Sequence, residues 1–278
     1  MFGRRRSAPR PDAAPRDEAA TPRRESASRD IHLSGVRVEA SSQAGVHVLL
    51  DDVDLLLDAP RVAVVGENGS GKSTLARTIA GLTPPVGGTI EVHGVDAVAD
   101  VKGLRRTVGF VFANPAAQSI MPTVREDVEL TVKNLRDADG NKLPHDEVRE
   151  RVDAALASHR LTELADRPCL SLSSGQAQRL ALCAVLAAQP SVVLADEPTS
   201  LLDGRHRRII AERLLAAEDF QLVLVTHDLA LARACEQAVW IHDARVHQVG
   251  ESGAVIDAYE RFLEESWAEE RPGGGAAS

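Results

Sequence analysis

Nine consecutive residues, Gly66-Glu67-Asn68-Gly69-Ser70-Gly71-Lys72-Ser73-Thr74, have the types and spacing needed to hold a triphosphate. In such a phosphate loop the glycines let backbone N–H groups curl around the phosphates, the lysine meets the outer two and a hydroxyl holds Mg²⁺. The amides of residues 68–73 would cradle the anion, Lys72 would contact the β- and γ-phosphates, and Ser73 would be a Mg²⁺ ligand. The apolar run Arg61-Val62-Ala63-Val64-Val65 before the loop reads as a buried strand, and residues 73–80 after it read as a helix, which is the setting the pattern requires. Further along, Asp196 closes the apolar run Val192-Val193-Leu194-Ala195. That aims its carboxylate at the C-terminal edge of a sheet, where nucleotides bind, and makes it a second holder of Mg²⁺. Glu197 points differently and suits a general base for an attacking water, a role worth ~10²–10⁴ in rate. Standing alone, two adjacent acids at a strand end also fit an ordinary helix-capping pair. Between these segments lies Leu172-Ser173-Ser174-Gly175-Gln176, whose hydroxyls and small residues at the start of a helix suit an incoming anion.

Bulk properties narrow the class. The 278 residues are 44% hydrophobic and 26% charged, which suits a water-soluble globular chain with one large domain or two small ones. Net charge is −9, and residues 1–30 carry eight Arg against five acids, so the remainder holds −12. An acidic body is a poor electrostatic partner for nucleic acid. Cys169, Cys183 and Cys235 lack metal-site spacing and read as buried free thiols in a reducing compartment. The longest central apolar stretch, residues 180–188, is too short to span a bilayer.

The elements that must position the loop alternate. Residues 36–38, 46–50, 53–57, 90–92 and 108–112 read as short strands. Thr123 with Glu126 forms a capping box ahead of Val124, Val128, Val132 and Leu135 at helical spacing, and a second helix follows Pro144. After Gln176 come a long apolar helix to Ala188, a strand at 192–195, a helix at about 205–217 and a strand at 222–225. Apolar strands alternating with helices imply a parallel sheet covered on both faces. Residues 1–30 and 266–278 read as loose tails, residues 31–265 as one nucleotide-binding domain, and about 114–186 as a helical subdomain inserted into it. Arg4-Arg5-Arg6 precedes no hydrophobic segment and is read as part of a solvated tail, with contact to anionic lipid headgroups as the alternative.

Leu172-Ser173-Ser174-Gly175-Gln176, followed by Gln178-Arg179, resembles the signature of ATP-binding-cassette proteins, and the resemblance extends over about residues 31–263. It implies an α/β P-loop NTPase fold: a RecA-like parallel sheet plus an antiparallel β subdomain, with an inserted helical subdomain. It also implies ATP and Mg²⁺ as cofactors and a dimer in which the signature of one cassette caps the ATP held by the other. Pro198-Thr199-Ser200-Leu201-Leu202-Asp203 is similar to the family's D-loop, with Asp203 crossing the dimer interface. His227, in Thr226-His227-Asp228, matches the switch histidine that meets the γ-phosphate, so Glu197 and His227 form the implied catalytic pair.

The stretch from Phe112 to Thr123, with Asn114-Pro115, Gln118 and Pro122-Thr123, resembles the corresponding loop of energy-coupling-factor importers, nearest to the ATPases of biotin importers and then of cobalt and nickel importers. Gln118 would belong to the segment that transmits ATP binding to a membrane scaffold. The implied partners are a second copy or a paralogous ATPase, a transmembrane scaffold subunit and a substrate-binding membrane subunit, with the chain peripheral on the cytoplasmic face of the membrane. Three features depart from the family. Ala113 replaces the glutamine that reaches Mg²⁺ and water, leaving either slower hydrolysis or a backbone group and water in its place. Ser174 replaces the first signature glycine, and residues 31–65 contain no Phe, Trp or Tyr to stack on adenine, with His47 as a weak substitute. An active ATPase of modest turnover in an importer of a vitamin or cobalt is the favoured reading. The alternative is a soluble ATP-binding cassette with a regulatory or non-transport role. Lys72→Ala should weaken ATP binding tenfold or more in an equilibrium titration, because each lost charged hydrogen bond is worth roughly 1.5–3 kcal/mol.

Overall fold

The computed structural model describes residues 30–270 apart from 44 and 138, so the tail expected at 1–30 falls, but for Asp30, outside the described residues, as do 271–278. β1 (Ile31–Ser42) and β2 (Gly45–Leu57) form a long antiparallel hairpin. β3 (Arg61–Val65) leads through the phosphate loop into α1 (Lys72–Ile79), followed by β4 (Gly87–Val92), β5 (Val95–Asp96), α2 (Val101–Thr107) and β6 (Val108–Val111). Then come α3 (Val124–Lys133), α4 (His145–Ser158) and α5 (Ser174–Leu186) with no strand between them. β7 (Val192–Asp196), α6 (Gly204–Ala216), β8 (Gln221–Val225), α7 (Leu229–Arg233), β9 (Gln237–His242), β10 (Arg245–Glu251) and α8 (Ser252–Glu270) complete the described chain.

Two sheets result. One is antiparallel in the order β2-β1-β4-β5; the other runs β10-β9-β3-β8-β7-β6 and is parallel except where β10 pairs with β9. Every residue of β3, β7 and β8 is buried, as expected of strands covered on both faces. Val62 and Val64 of β3 pack toward the antiparallel sheet and α1, while Ala63 and Val65 pack toward α6, α7 and α8. The fold is the α/β P-loop architecture anticipated from the sequence.

The helices between β6 and β7 have their own core, built from Val124, Val128 and Val132 of α3, Val148, Val152 and Leu156 of α4, and Leu180 and Cys183 of α5. Leu182 of α5 faces the other way, into the core of the parallel sheet, so α5 joins the two bodies. The capping box at Thr123 and Glu126 is formed as expected.

Several boundaries differ from the expectation. The three short strands read at 36–57 are two long ones, because register shifts add a residue in β1 between Leu33 and Val36 and residues in β2 between Val48 and Val53, where Asp52 is left-handed, and break the alternation into fragments. β9 and β10 were not among the expected strands, and α8 runs to Glu270, past the boundary placed at 265.

The seam between α4 and the sheet core is polar. Arg213 of α6 donates through Nη1 to Ser158 O at 2.9 Å, and His159 beside it is only 4% exposed, its Nδ1 donating to Ala155 O at 2.9 Å. Burial, with Arg213 and Arg179 nearby, pushes the His159 imidazole down to about 4. The depressed value means that the unfolded chain takes up this proton from about pH 6.5 downward while the folded chain resists until about pH 4. Folding stability from this group is therefore complete above pH 6.5 and is lost between those values. Urea denaturation should show the protein on the order of 2 kcal/mol less stable at pH 5 than at pH 7 from this residue alone, and His159→Gln should remove that share of the decline.

Candidate functional site

The phosphate loop turns on glycine. Gly66 sits at φ 146°, where a Cβ would overlap the carbonyl oxygen of Ile241, and Gly71 at φ 111° starts α1 where a Cβ would come within 2.8 Å of Leu49 O. Both positions therefore need a residue without a side chain, for its left-handed backbone and for the close approach of neighbouring main chain. The loop opens on a cleft of about 260 Å³ lined by Leu49, Asn68, Gly69, Gly71, Lys72, Ser73, Thr74, Glu197, Val225 and His227. Ser70 is buried on the inner side of the turn.

The parallel register brings the ends of β7 and β8 beside the loop. Ser73 Oγ donates to Asp196 Oδ1 at 2.9 Å, and Arg77 of α1 lies 3.7 Å from Asp196 Oδ2. A hydroxyl and a carboxylate side by side are hard oxygen donors suited to a small divalent cation. Lys72 is 6% exposed, and burial pulls its ammonium below the usual lysine range against the opposing pull of Glu197, Asp196 and Glu67. Its Nζ donates to Glu67 O at 2.6 Å, one partner for three donors, which leaves it suited to receive an anion.

Glu197 has left-handed φ, 50°, held by its N–H donating to Val225 O at 2.9 Å. For a non-glycine residue such a backbone costs about 1 kcal/mol or more and gathers at functional sites. Here it turns the carboxylate away from Asp196 and toward His227, whose Nε2 lies 3.4 Å from Oε1. Burial and the adjacent Asp196 push Glu197 up to about 7, with Lys72 pulling the other way. Burial and the Lys72 charge hold His227 below the ordinary histidine value. A carboxyl poised near neutrality in a cleft is a usual form of acid–base machinery.

The remaining sequence-designated residues lie elsewhere. None of Leu172, Ser173, Ser174, Gly175 and Gln176 lines the cleft at Lys72. Ser173 caps α5, which starts at Ser174 rather than near Gln176, and Gln176 Oε1 accepts from Ser173 N at 2.9 Å. Ser173 and Ser174 are exposed, whereas Gly175 is buried against the ring of His206, which a Cβ would approach to 3.0 Å. His206 Nδ1 in turn bonds Asp203 Oδ2 at 2.8 Å, so exposed Asp203 and the start of α5 at Gly175 share one support. Gln118 folds back along the outermost strand, its Oε1 accepting from Phe112 N at 3.1 Å and its Nε2 donating to Phe110 O at 3.3 Å. His47 is exposed on β2 and does not line the cleft, where Leu49 supplies an apolar wall instead. Arg77 and the turn His242 to Ala244 were not designated from the sequence; they lie far from the residues they touch, and nothing in local spacing marks them.

This fold and site define a P-loop nucleoside triphosphatase. A family model described as "ABC transporter" matches residues 50–200. The biotin transport ATP-binding protein BioM of Rhizobium etli is 38% identical over 73% of this chain and 87% of its own length, and the energy-coupling factor transporter ATP-binding protein EcfA1 of Enterococcus faecalis is 37% identical over 84% of this chain and 83% of its own. Among solved structures, the dimeric post-hydrolysis state of the ATP-binding cassette MJ0796 bound to ADP and Pi superposes with a TM-score of 0.70 at 29% identity, covering 80% of this chain and 98% of that one. The chain belongs to the ABC transporter family and is an ATPase of the energy-coupling-factor type. Among the described residues no helix is long and apolar enough to cross a membrane.

Gly66→Ala should abolish ATP binding, because it adds both strain and overlap with Ile241, whereas Gly69→Ala, which meets no atom within 4 Å, should weaken it only modestly. Titration of both variants with a fluorescent ATP analogue checks the contrast.

Proposed function

We propose that this chain is the ATP-hydrolysing motor of an energy-coupling-factor importer for biotin, another vitamin or cobalt. It would work at the cytoplasmic face of the membrane with a transmembrane scaffold subunit and a substrate-binding membrane subunit, its dimer partner a second copy or a paralogous ATPase. The observation that carries this reading is the division of the machinery. Lys72, Ser73, Asp196, Glu197 and His227 converge on one cleft, while Ser173, Ser174 and Asp203 stand exposed away from it. A second cassette facing this one would bring such outward groups to its partner's triphosphate. The chain's likeness to the transport ATP-binding proteins BioM and EcfA1 and to the dimeric cassette MJ0796 supports the same reading.

The residues divide the chemistry as follows. Backbone amides of residues 68–73, at the N-terminus of α1, bind the phosphate oxygens, and the Lys72 ammonium meets the outer two. Ser73 and Asp196 would hold Mg²⁺, which when bound neutralises charge developing on the phosphates. Glu197, with its proton affinity lifted toward neutrality, accepts the proton of the attacking water, and His227 beside it orients that carboxylate and meets the γ-phosphate. Ala113 has no polar side-chain atom for this water, which sets turnover at a modest level. The N-terminus of α5, with Ser173 and Ser174, would close over the γ-phosphate of the partner's ATP.

Glu197→Gln should lower steady-state phosphate release ~10²-fold or more while ATP still drives dimer formation on size exclusion. A variant that hydrolyses at the parent rate would remove Glu197 as the base. Affinity purification from solubilised membranes should recover a multi-span scaffold protein; repeated recovery of the chain alone would overturn the transport assignment.

A further inference from the structure

The phosphate loop rests on a hairpin turn that carries its own ionisable partner. Asp243 and Ala244, both left-handed at φ 47° and 63°, turn β9 into β10 directly beneath the loop. Ala244 N donates to Ser70 O at 3.1 Å, Ala244 O accepts from Asp51 N at 2.8 Å, and Ile241 O fills the space where Gly66 lacks a side chain. One residue before the turn, His242 Nδ1 lies buried 3.2 Å from Glu67 Oε2, its nearest acid, without the alignment of a hydrogen bond, and its Nε2 lies 3.5 Å from Asp243 Oδ2.

Glu67 is the pivot of the loop. Its carbonyl accepts both Lys72 Nζ at 2.6 Å and Ser70 N at 3.2 Å, so the direction of that one peptide sets two donors of the phosphate site. The imidazole that faces its side chain packs in turn against α8. Phe262 of α8 packs edge-on against His242 with centroids 5.0 Å apart, and His247 and Trp240 stand at 5.9 and 6.3 Å. A continuous path thus runs from α8 through Phe262, His242 and Glu67 to Lys72.

We infer that His242 is a positioning residue for ATP binding: by pairing with Glu67 it fixes the peptide that aims the Lys72 ammonium, and it ties the phosphate loop to α8. The inference rests on the nucleotide site proposed above. Because Glu67 and His242 are both partly exposed, the effect is expected in affinity and to be moderate in size.

The test is a double-mutant cycle read by ATP titration and by steady-state kinetics on the full chain. Glu67→Ala and His242→Ala should each raise the ATP dissociation constant about three- to tenfold, and the double variant should be no weaker than the weaker single one, as for residues acting through one contact. KM should rise with kcat within about twofold of the parent. His242→Asn, which restores a donor to Glu67, should retain most of the affinity, whereas His242→Phe, which keeps only the ring against Phe262, should not. Parent-like affinity in both single variants, fully additive losses, or rescue by Phe in place of Asn would each overturn the proposal. Should His242→Ala fail to fold, Glu67→Met at the partly exposed loop position, which removes the acceptor at similar length, carries the test, with weakened binding expected and unchanged binding contradicting it. Lys72→Ala run alongside separates the two levels: if it too binds ATP normally, the nucleotide site itself is misplaced rather than its support.

Discussion

Val65, Val225 and Asp196 end three neighbouring parallel strands, and the shared edge they form is what the functional side chains depend on. Val64 is paired with Val225, and Val225 with Asp196, so the loop after β3, the carboxylates after β7 and the histidine after β8 leave the sheet at one level. A slip of one residue in either pairing would exchange the faces of a strand and carry Asp196 away from Ser73. Complete burial of these strands on both faces makes such a slip costly, because every side chain in them fills a core. The 2.9 Å hydrogen bond from Ser73 to Asp196 spans 123 positions and exists only because of that register.

Electrostatics then follow from placement. Lys72, Glu197 and His227 line one cleft with Asp196 bonded to Ser73 at its edge, and the charges of Lys72 and Asp196 act in opposite senses on Glu197 and His227. Glu197 is raised to about 7, because burial and Asp196 outweigh Lys72 and the hydrogen bond from the His227 backbone. The left-handed backbone at Glu197 gives adjacent acids separate tasks, one facing the hydroxyl of Ser73 and one facing His227. The same economy appears at the signature, where one imidazole, His206, both packs on Gly175 and bonds Asp203.

Two bodies meet along α5. Its Leu180 and Cys183 belong to the helical core and its Leu182 to the sheet core, so the element that begins with the signature serines is packed on both sides. The seam beside it is polar, with Arg213 and Arg179 donating to carbonyls at the end of α4. Directional hydrogen bonds across a seam allow small relative shifts more readily than an interlocked apolar interface does. Any movement of the helices would be felt first at Ser173 and Ser174, which stand at the exposed end of α5.

Most of the chemistry was legible because phosphate binding demands local patterns. Glycine spacing, a lysine and a hydroxyl at residues 66–74 follow from the geometry of a single turn, and an apolar run ending in two acids follows from a buried strand that stops at water. The capping box at Thr123 was equally local, while the one at Ser173, also complete within four residues, goes unread when the helix is taken to begin near Gln176. What the chain order could not reveal were contacts between distant segments: Arg77 beside Asp196, His206 beneath Gly175, Gln118 folded along an open strand edge, and His242 against Glu67. Bulges in both strands of the first hairpin hid two long strands behind a broken alternation, and α8 meets the support of the phosphate loop through the ring of Phe262 on His242. Short-range stereochemistry determined which residues are candidates to handle phosphate; strand register and side-chain packing across the sheet decided what holds those residues in place, because neither leaves a trace in the spacing of neighbours.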